Sequence, residues 1–326
     1  MVLRQLLDTL ADGQFHSGEE LGELLGVSRT AVWKQLQKLQ ELTDLSLESI
    51  KGRGYRLVGG LELLDAKRIT AVLSPDAQPL LSALNILDQV DSTNHLAMVE
   101  AQAGAGRGYT VTAEQQTAGR GRRGRAWVSP FGRNIYSSTV WEFDGGAAAL
   151  EGLSLAVGVA AVKALRAVGL ADAQLKWPND VVWHGRKLAG ILLEMTGDAS
   201  GRCQVTVGVG INVAMTGSHS AESINQPWVD VQSAAGIAVS RNELLGRLLS
   251  ELLPMLAQFE QTGFSRFRQQ WLELDCMAGK AVTVHLGEEV VAGIAAGVDE
   301  GGALLVDTPS GRQSFRGGEV SLRLQQ

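Results

Sequence analysis

The feature that most constrains this chain is a segment rich in both glycine and arginine. This Gly/Arg segment, Gln115 to Asn134, reads QQTAGRGRRGRAWVSPFGRN and places four arginines among three glycines (Arg120, Arg122, Arg123 and Arg125; Gly119, Gly121 and Gly124). Glycine lets the backbone approach a ligand closely, and the arginine fork holds carboxylate or phosphate through two hydrogen bonds. Trp127 adds a flat face that would cover a ring. The pattern predicts a loop that closes on an anion.

Two familiar phosphate-binding motifs do not explain this segment. Residues 119–124 match G-x-G-x-x-G formally, but a Rossmann loop leads straight into a helix. Pro130 and Gly132 follow here and argue against one. No GxxxxGK[ST] sequence occurs, which excludes a P-loop as written. A solvated basic loop or a nucleic-acid patch stays open as an alternative.

Composition narrows the class of protein further. The 326 residues are 45% hydrophobic and 20% charged, as expected for a soluble globular protein of two or three domains. The net charge of −6 requires that any DNA contact come from a local basic face. Cys203 and Cys276 alone make neither a disulfide framework nor a zinc site. We see no apolar run long enough for a bilayer and no signal peptide, so we expect the cytoplasm and no membrane partner.

The N-terminal residues carry the signals of a helix-turn-helix. Residues 2–11 are apolar at helical spacing, and Ser17 to Glu20 form a capping box that starts a short second helix. After a glycine-containing turn, Ser28 caps a third helix that runs to about Leu42.

Strand-like residues 45–50 and 55–58 then flank a basic, glycine-rich tip, the usual wing. We predict DNA contacts from the third helix and the wing: Ser28, Arg29, Thr30, Trp33, Lys34, Arg53 and Tyr55. Acidic residues roughly balance the basic ones in this region, so a helical packing domain that touches no DNA is the alternative. The basic residues gather on one face, and phosphate contacts need only local charge.

Polar residues precede the next predicted helix. Residues 84–90 read as a strand, and Ser92, Thr93 and Asn94 stand before a helical run from His95. These three serve either as helix-capping residues alone or as a polar ligand site at a helix N-terminus. Strands at 109–114 and 134–143 flank the Gly/Arg segment, and a buried helix is predicted over residues 147–168.

Two lysines lie inside otherwise apolar strands. Residues 175–183 and 187–194 are predicted to be strands, with a further strand at 205–213, and they carry Lys176 and Lys187. Lysine is rarely buried without a partner. The alternative is that both side chains extend along an edge towards water.

The C-terminal part changes from helices to short strands. Residues 242–260 and 264–274 are predicted to be helices. Strands with turn residues between them follow at 281–286, 290–298, 303–307, 312–315 and 320–324 and predict a small β-barrel.

Four motifs together resemble one family, the biotin–protein ligases. They are Gly-Arg-Gly-Arg-Arg-Gly-Arg-Ala-Trp (119–127), Lys-Trp-Pro-Asn-Asp (176–180), Arg-Lys-Leu-Ala-Gly-Ile-Leu (186–192) and Gly-Val-Gly-Ile-Asn-Val (208–213). The helix-turn-helix and residues 317–323, Gly-Gly-Glu-Val-Ser-Leu-Arg, resemble the bifunctional form that is also the biotin-operon repressor. The resemblance covers essentially the whole chain.

The resemblance implies an α+β fold of three domains. These are a winged helix-turn-helix (1–61), a central class II synthetase-like ligase α/β domain with a mixed sheet (62–275), and an SH3-like β-barrel (276–326). It also implies that biotinyl-5′-AMP is made from biotin and Mg²⁺-ATP. The biotin then passes to a lysine of the biotin carboxyl carrier protein of acetyl-CoA carboxylase. An adenylate-bound homodimer would repress transcription at operator DNA.

The resemblance also assigns roles by position. Lys187 and Arg122 would be catalytic. Biotin would contact Ser92, Thr93, Asn94, Gln116, Gly119, Arg120, Gly121, Arg122, Lys187 and Gly190. The adenylate would contact Arg120, Arg122, Trp127, Lys176, Asn179, Asn212 and Arg323. No metal site is expected from the protein alone.

One position departs from the family pattern. Ala126 stands where the best-known member has a basic residue. Two alternatives stay open, a lipoate–protein ligase and a ligand-sensing transcription factor without ligase activity. The Gly/Arg segment and the helix-turn-helix favour a biotin ligase over the first, and Lys187 argues against the second.

Overall fold

A computed structural model describes residues 2–197, 201–215, 219–287, 289–317 and 320–324. It arranges them around three β-sheets of two, seven and five strands. This α+β architecture, with a helix-turn-helix before a mixed central sheet, confirms the predicted fold class. The predicted domain boundaries and the comparisons with synthetase and SH3 folds stay predictions.

The N-terminal unit is a winged helix-turn-helix. It contains α1 (Val2–Leu10), α2 (Gly18–Leu25), α3 (Arg29–Thr43), β1 (Leu47–Ile50) and β2 (Gly54–Leu57). Ser17 and Glu20 form the predicted capping box, and the Ser28 hydroxyl accepts the Ala31 N–H at the start of α3. Both helix starts are therefore confirmed, and they follow from side chains that satisfy free backbone donors.

One residue from outside this unit completes its core. Phe131, which lies near the end of the Gly/Arg segment, is 3% exposed and belongs to the same buried cluster as Leu6, Leu21 and Leu39. A Cβ added at the neighbouring Gly132 would lie 2.6 Å from the Leu61 side chain. The end of the Gly/Arg segment is thus packed into the N-terminal unit.

The central unit is a seven-stranded mixed sheet covered by helices. Its strands are β3 (Ala83–Val90), β4 (Tyr109–Gln116), β5 (Asn134–Phe143), β6 (Ala173–Lys176), β7 (Asp180–Trp183), β8 (Arg186–Gly197) and β9 (Cys203–Asn212). The strand order is β3-β4-β5-β9-β8-β7-β6. Among the strand pairs that the described residues form in this sheet, only β3–β4 is parallel. The helices are α4 (Ala66–Thr70), α5 (Thr93–Gln102), α6 (Leu153–Ala167), α7 (Val231–Ala235), α8 (Arg241–Thr262) and α9 (Ser265–Leu274).

Two predicted elements of this unit are wrong in extent. The strand expected over residues 175–183 is two antiparallel strands, β6 and β7, with a turn at Trp177–Asn179. Pro178 has no N–H to give to a sheet and favours the turn. The helix expected over 147–168 begins at Leu153, because Gly152 adopts φ +76° and a short 3-10 turn precedes it.

The length argument against a membrane span also needs correction. Gly146–Ala167 is long and apolar enough to cross a bilayer by length and composition, with a mean hydropathy of 1.6. Most of it is buried inside the protein. It packs against α8 and the central sheet, so its apolar character is that of a core helix.

The C-terminal unit is a five-stranded antiparallel sheet. Its strands are β10 (Ala281–Leu286), β11 (Glu289–Val298), β12 (Leu304–Thr308), β13 (Gly311–Phe315) and β14 (Val320–Leu324), in the order β13-β12-β11-β10-β14. The five predicted strands are confirmed. The Trp177 indole N–H donates to the Gly302 carbonyl at 3.1 Å and joins the turn between β6 and β7 to this sheet.

Candidate active site and DNA-binding surface

A single cavity of about 940 Å³ collects nearly all the predicted substrate residues. Those that line it are Ser92, Thr93, Asn94, Gln116, Arg120, Gly121, Arg122, Trp127, Lys176, Asn179, Lys187, Gly190, Asn212 and Arg323. They come from the ends of β4 and β6, the turn between β6 and β7, the strands β8, β9 and β14, the start of α5 and the Gly/Arg segment.

Gly119 is the exception and does not line the cavity. A Cβ there would lie 2.8 Å from the Ser129 hydroxyl oxygen and 2.9 Å from the Gln116 amide nitrogen. The predicted contact of Gly119 with biotin therefore stays a prediction. This glycine leaves room for Gln116, whose side chain faces the cavity.

The floor of the cavity is bare backbone. Gly190 on β8 pairs with Gly210 on β9, and Gly208 lies two residues before Gly210 on the same face. A Cβ at Gly210 would lie 2.7 Å from the Trp127 ring, and one at Gly208 would lie 2.2 Å from the Asn94 amide oxygen. Both side chains can rest on the sheet only because glycine has no side chain.

The start of α5 forms a closed polar network. The Gln116 amide oxygen accepts the Thr93 N–H at 2.9 Å and the Thr93 hydroxyl at 3.0 Å. The Ser138 hydroxyl lies 2.6 Å from the Asn94 amide oxygen, and the Asn94 amide nitrogen donates to Glu194 at 2.8 Å. Thr93 and Asn94 are almost fully buried. The sequence analysis did not predict Ser138 or Glu194. Both lie on strands of the central sheet and form hydrogen bonds with the side chains of Thr93 and Asn94.

Lys187 is held at the wall of the cavity by its strand and by a carboxylate. Its ammonium lies 2.6 Å from the Asp180 carboxylate and 5.5 Å from the centre of the Trp127 ring. The Lys187 side chain is only 19% exposed, so it is not the exposed edge lysine of the alternative interpretation. Asp180 was not predicted as a site residue, although it ends the Lys-Trp-Pro-Asn-Asp motif.

The two asparagines predicted to contact the adenylate, Asn179 and Asn212, both donate hydrogen bonds to backbone carbonyls beside the cavity. The Asn179 amide oxygen accepts an Arg122 guanidinium N–H at 3.0 Å, and its nitrogen donates to the Ile191 carbonyl at 2.7 Å. Asn212 donates to the Val229 carbonyl at 3.2 Å. Each asparagine thus ties neighbouring segments together while it lines the cavity.

The charge of the cavity is strongly unbalanced. Among the described lining residues, Asp180 is the only carboxylate and faces seven cations (Arg120, Arg122, Arg123, Arg125, Lys176, Lys187 and Arg323). Burial lowers the pKa of Arg122, and the neighbouring Arg123 and Arg125 lower it further against the opposing effect of Asp180. This electrostatic setting favours anionic ligands.

The Gly/Arg loop folds back on itself beside these cations. The Gly121 N–H donates to the Arg125 carbonyl at 2.8 Å, and the Trp127 N–H donates to the Gly119 carbonyl at 2.9 Å. Arg123 adopts φ +59° between them. The turn directs Arg122 at Asn179 and brings Trp127 over the glycine floor.

The predicted DNA-binding residues lie on the N-terminal unit. Arg29, Thr30, Lys34 and Arg53 are exposed. Trp33 is 47% exposed. The Ser28 hydroxyl serves as the α3 cap, and Tyr55 is half-buried and pairs with the His16 backbone. The Arg53 guanidinium stacks on the Phe15 ring at 4.2 Å. Their roles towards DNA remain predictions.

The cationic cavity and the winged helix-turn-helix define a class of protein: an enzyme for anionic substrates joined to a DNA-binding domain. Family models match three parts of the chain. They are the biotin/lipoate A/B protein ligase family (86–212), an HTH domain (2–56) and the biotin protein ligase C-terminal domain (278–323). The bifunctional ligase/repressor BirA of Salmonella typhimurium is 41% identical over 98% of this chain and 96% of its own length. The chain belongs to the biotin protein ligase family, among its bifunctional ligase/repressors.

Other relatives and solved structures agree. BirA of Escherichia coli is 40% identical over 98% of this chain and 96% of its own length. The biotin–[acetyl-CoA-carboxylase] ligase of Paracoccus denitrificans is 39% identical over 72% of this chain and 98% of its own length. The structure of the Aquifex aeolicus biotin protein ligase in complex with biotin and ATP matches 75% of this chain and 100% of its own, with a TM-score of 0.65 and 30% identity.

Proposed function

We propose that this chain is an ATP-dependent biotin–protein ligase and, as an adenylate-bound homodimer, a repressor of biotin-synthesis genes. The observation that carries the ligase proposal is one cavity that joins a buried polar network to a group of cations. The Thr93–Gln116 network suits a ureido ring, which needs fixed donors and acceptors. Lys187 and Arg122 suit the valerate carboxylate and the ATP phosphates.

In the proposed reaction, a biotin carboxylate oxygen attacks the α-phosphorus of ATP. The bond to pyrophosphate breaks, and biotinyl-5′-AMP forms. A lysine amine of the biotin carboxyl carrier protein then attacks the acyl carbon, AMP leaves, and the amine loses a proton. Lys187 and Arg122 offset the repulsion between the two anions in the first step and the charge that develops on the acyl phosphate.

The remaining roles follow the geometry of the cavity. Ser92, Thr93, Asn94, Gln116, Gly121 and Gly190 are proposed to hold biotin, and Arg120, Trp127, Lys176, Asn179, Asn212 and Arg323 the adenylate. Trp127 would cover the mixed anhydride and exclude water, which protects it from hydrolysis. Within the described chain, no three side chains of the metal-binding types come together. Mg²⁺ is therefore proposed to enter on the ATP phosphates.

The repressor proposal is supported by the exposed basic face of α3 and the wing. The BirA relatives of this chain are named bifunctional ligase/repressors. The proposed acceptor is the carrier protein of acetyl-CoA carboxylase, because another relative is named as a ligase for that enzyme. Carrier protein and operator DNA are cytoplasmic partners, so we place the protein in the cytoplasm.

The deciding experiment is biotin-dependent exchange of labelled pyrophosphate into ATP by the full-length chain. We expect exchange with biotin and none with lipoate. Exchange with lipoate alone would identify a lipoate ligase, and exchange with neither would identify a sensor without ligase activity. Binding to promoter DNA of biotin-synthesis genes, with and without biotin plus ATP, tests the repressor role. Equal affinity in both conditions would overturn ligand-dependent repression.

A further inference from the structure

Asp180 has a place in the cavity that the substrate-binding roles do not explain. A carboxylate repels the carboxylate and phosphates that this site is proposed to bind, yet Asp180 lies among the cations that would receive them. Its Oδ1 atom is buried and lies 2.6 Å from the Lys187 ammonium. The side chain is 24% exposed, so the ion pair is partly shielded from water.

The backbone fixes both ends of this pair. Asp180 begins β7 and pairs with Gly190, whereas Lys187 pairs with Val182 on the same strand. A β-bulge between these pairs places Leu188 as an extra residue on β8. Bulges of this kind re-aim side chains beside active sites. The Lys187 N–H and carbonyl are also bonded on the other side, to Pro227 and Val229 at 2.9 Å each.

The lysine side chain beyond this fixed backbone is a flexible chain of four carbons. Its ammonium has three donors and forms an ion pair with Asp180 at 2.6 Å, although Asp180 Oδ1 accepts no hydrogen bond from the described residues. An opposite charge at this distance confines the ammonium, while its donors stay available for a ligand. The carboxylate also offsets repulsion from Arg122, whose guanidinium interacts with Asp180 electrostatically.

We propose that Asp180 is a positioning residue for the ligase reaction, which holds the Lys187 ammonium through the ion pair so that its donors meet the substrate carboxylate. This inference rests on the proposed function. Asp180 touches no reacting atom in this role and acts through Lys187. Two alternative roles of Asp180 predict different experimental results. A proton acceptor for the attacking amine would act only in the transfer step, and an anion that competes with biotin would weaken biotin binding.

The test is a double-mutant cycle of Asp180→Asn and Lys187→Gln in the full chain. Asparagine keeps the shape and an acceptor oxygen but removes the charge. We expect Asp180→Asn to lower kcat/KM for biotin in pyrophosphate exchange by about 10-fold or more. In the Lys187→Gln background, the same change should alter kcat/KM by less than about twofold, because residues that act through each other are not additive. Full additivity would overturn the proposal.

The separate effects on kcat and KM give a readout that a purely structural role would not move. Loss of positioning at the reacting carboxylate should lower kcat and kcat/KM for biotin together in Asp180→Asn, with an unchanged urea midpoint. Asp172→Asn is the matched control, since that carboxylate is 71% exposed and lies 3.7 Å from His184, outside the cavity. An unchanged kcat in Asp180→Asn, or the same loss in the control, would contradict the proposal.

The half-reactions separate the remaining roles. Loss of transfer from preformed biotinyl-5′-AMP with normal exchange would make Asp180 a proton acceptor, and tighter biotin binding with unchanged kcat would make it a competing anion. Either result overturns positioning. Asp180→Glu keeps the charge and should retain more pyrophosphate exchange than Asp180→Asn. If the asparagine variant does not fold, the comparison of Asp180→Glu with the unmodified chain replaces it, since the longer side chain should misplace the Lys187 ammonium and lower exchange. Absence of exchange in the unmodified chain would refute the proposed function itself, which is a distinct outcome.

Discussion

Arg241 and Glu114 form an ion pair that is almost completely buried: their side chains are 3% and 0% exposed, and Arg241 Nη2 lies 2.6 Å from Glu114 Oε2. Glu114 also accepts the Leu64 N–H at 2.6 Å, and Arg241 donates to the Asn134 carbonyl at 3.0 Å. One pair thus joins β4, β5, the start of α8 and the segment that leaves the N-terminal unit.

Removal of either partner leaves a buried charge without compensation. Arg241→Ala is expected to lower the free energy of unfolding by about 3–5 kcal/mol, as measured by urea denaturation. Arg202→Ala is the control, because its ion pair with Glu142 has an arginine that is 72% exposed and should contribute at most about 1 kcal/mol. Similar losses in both variants would show that the buried pair has no special weight.

Lys187→Ala should abolish a contact with the reacting carboxylate and leave the fold intact. We expect biotin-dependent pyrophosphate exchange to fall by about 100-fold, in the range of a lost charge-assisted hydrogen bond. Lys163→Ala, on the exposed face of α6, is the control. If Lys187→Ala exchanged pyrophosphate at the rate of the unmodified chain, the proposed catalytic role of Lys187 would be refuted.

Residues 117–126 of the Gly/Arg segment should respond to ligands. Three glycines make this stretch costly to order, and four neighbouring arginines repel one another without an anion. Saturating biotin and ATP are expected to slow trypsin cleavage after Arg120–Arg125 and to slow amide hydrogen exchange there. Equal cleavage with and without both ligands would refute ligand-induced ordering, although not the ligase reaction.

Arg29→Ala should weaken operator binding and reduce the slope of log affinity against log salt by about one. The effect should not appear in Lys67→Ala, an exposed lysine of α4 outside the N-terminal unit. A chain that begins near residue 62 should lose operator binding altogether. It would also expose Phe131, so its ligase activity is not a test of the DNA-binding assignment. Unchanged affinity of the shortened chain would place DNA binding elsewhere.

His16 should make the stability of the N-terminal unit depend on pH. Partial burial opposes the charged imidazole, but hydrogen bonds to Glu20 and Asp12 outweigh it and raise the pKa of His16. The contribution is therefore fully present below the unfolded pKa of about 6.5 and is lost as pH rises through the raised folded value. The thermal midpoint of His16→Gln should fall below that of the unmodified chain at pH 5.5 and approach it at pH 8.5. A difference that does not change with pH would contradict this role.

Local signals made much of the fold predictable. Ser17 and Ser28 each accept a hydrogen bond from the backbone N–H three residues further along the chain. Because both partners are close in sequence, these two helix starts can be recognised from the sequence alone. The strand over 175–183 was wrong because apolar periodicity outweighed the single signal of Pro178. The late start of α6 depends on the left-handed backbone of Gly152, which a run of alanine and leucine conceals.

Site residues that belong to sequence motifs could be predicted, whereas contacts between residues that only the fold brings together could not. Arg122 and Lys187 stand in recognisable motifs, and the cavity brings them together. Asp180 stands in a motif too, but its pairing with Lys187 depends on a bulge that residue spacing does not show. Arg241 and Glu114 are 127 residues apart, and no local pattern pairs them.

The position of Phe131 has a consequence for how the chain is made. The core of the N-terminal unit includes this residue, which the ribosome adds more than 70 residues after Leu57, the end of β2. A nascent chain that has just released residues 2–57 therefore lacks one aromatic side chain of its own core. The DNA-binding unit therefore completes its packing only after β4 and the Gly/Arg segment have left the exit tunnel, so its maturation during synthesis depends on part of the central unit.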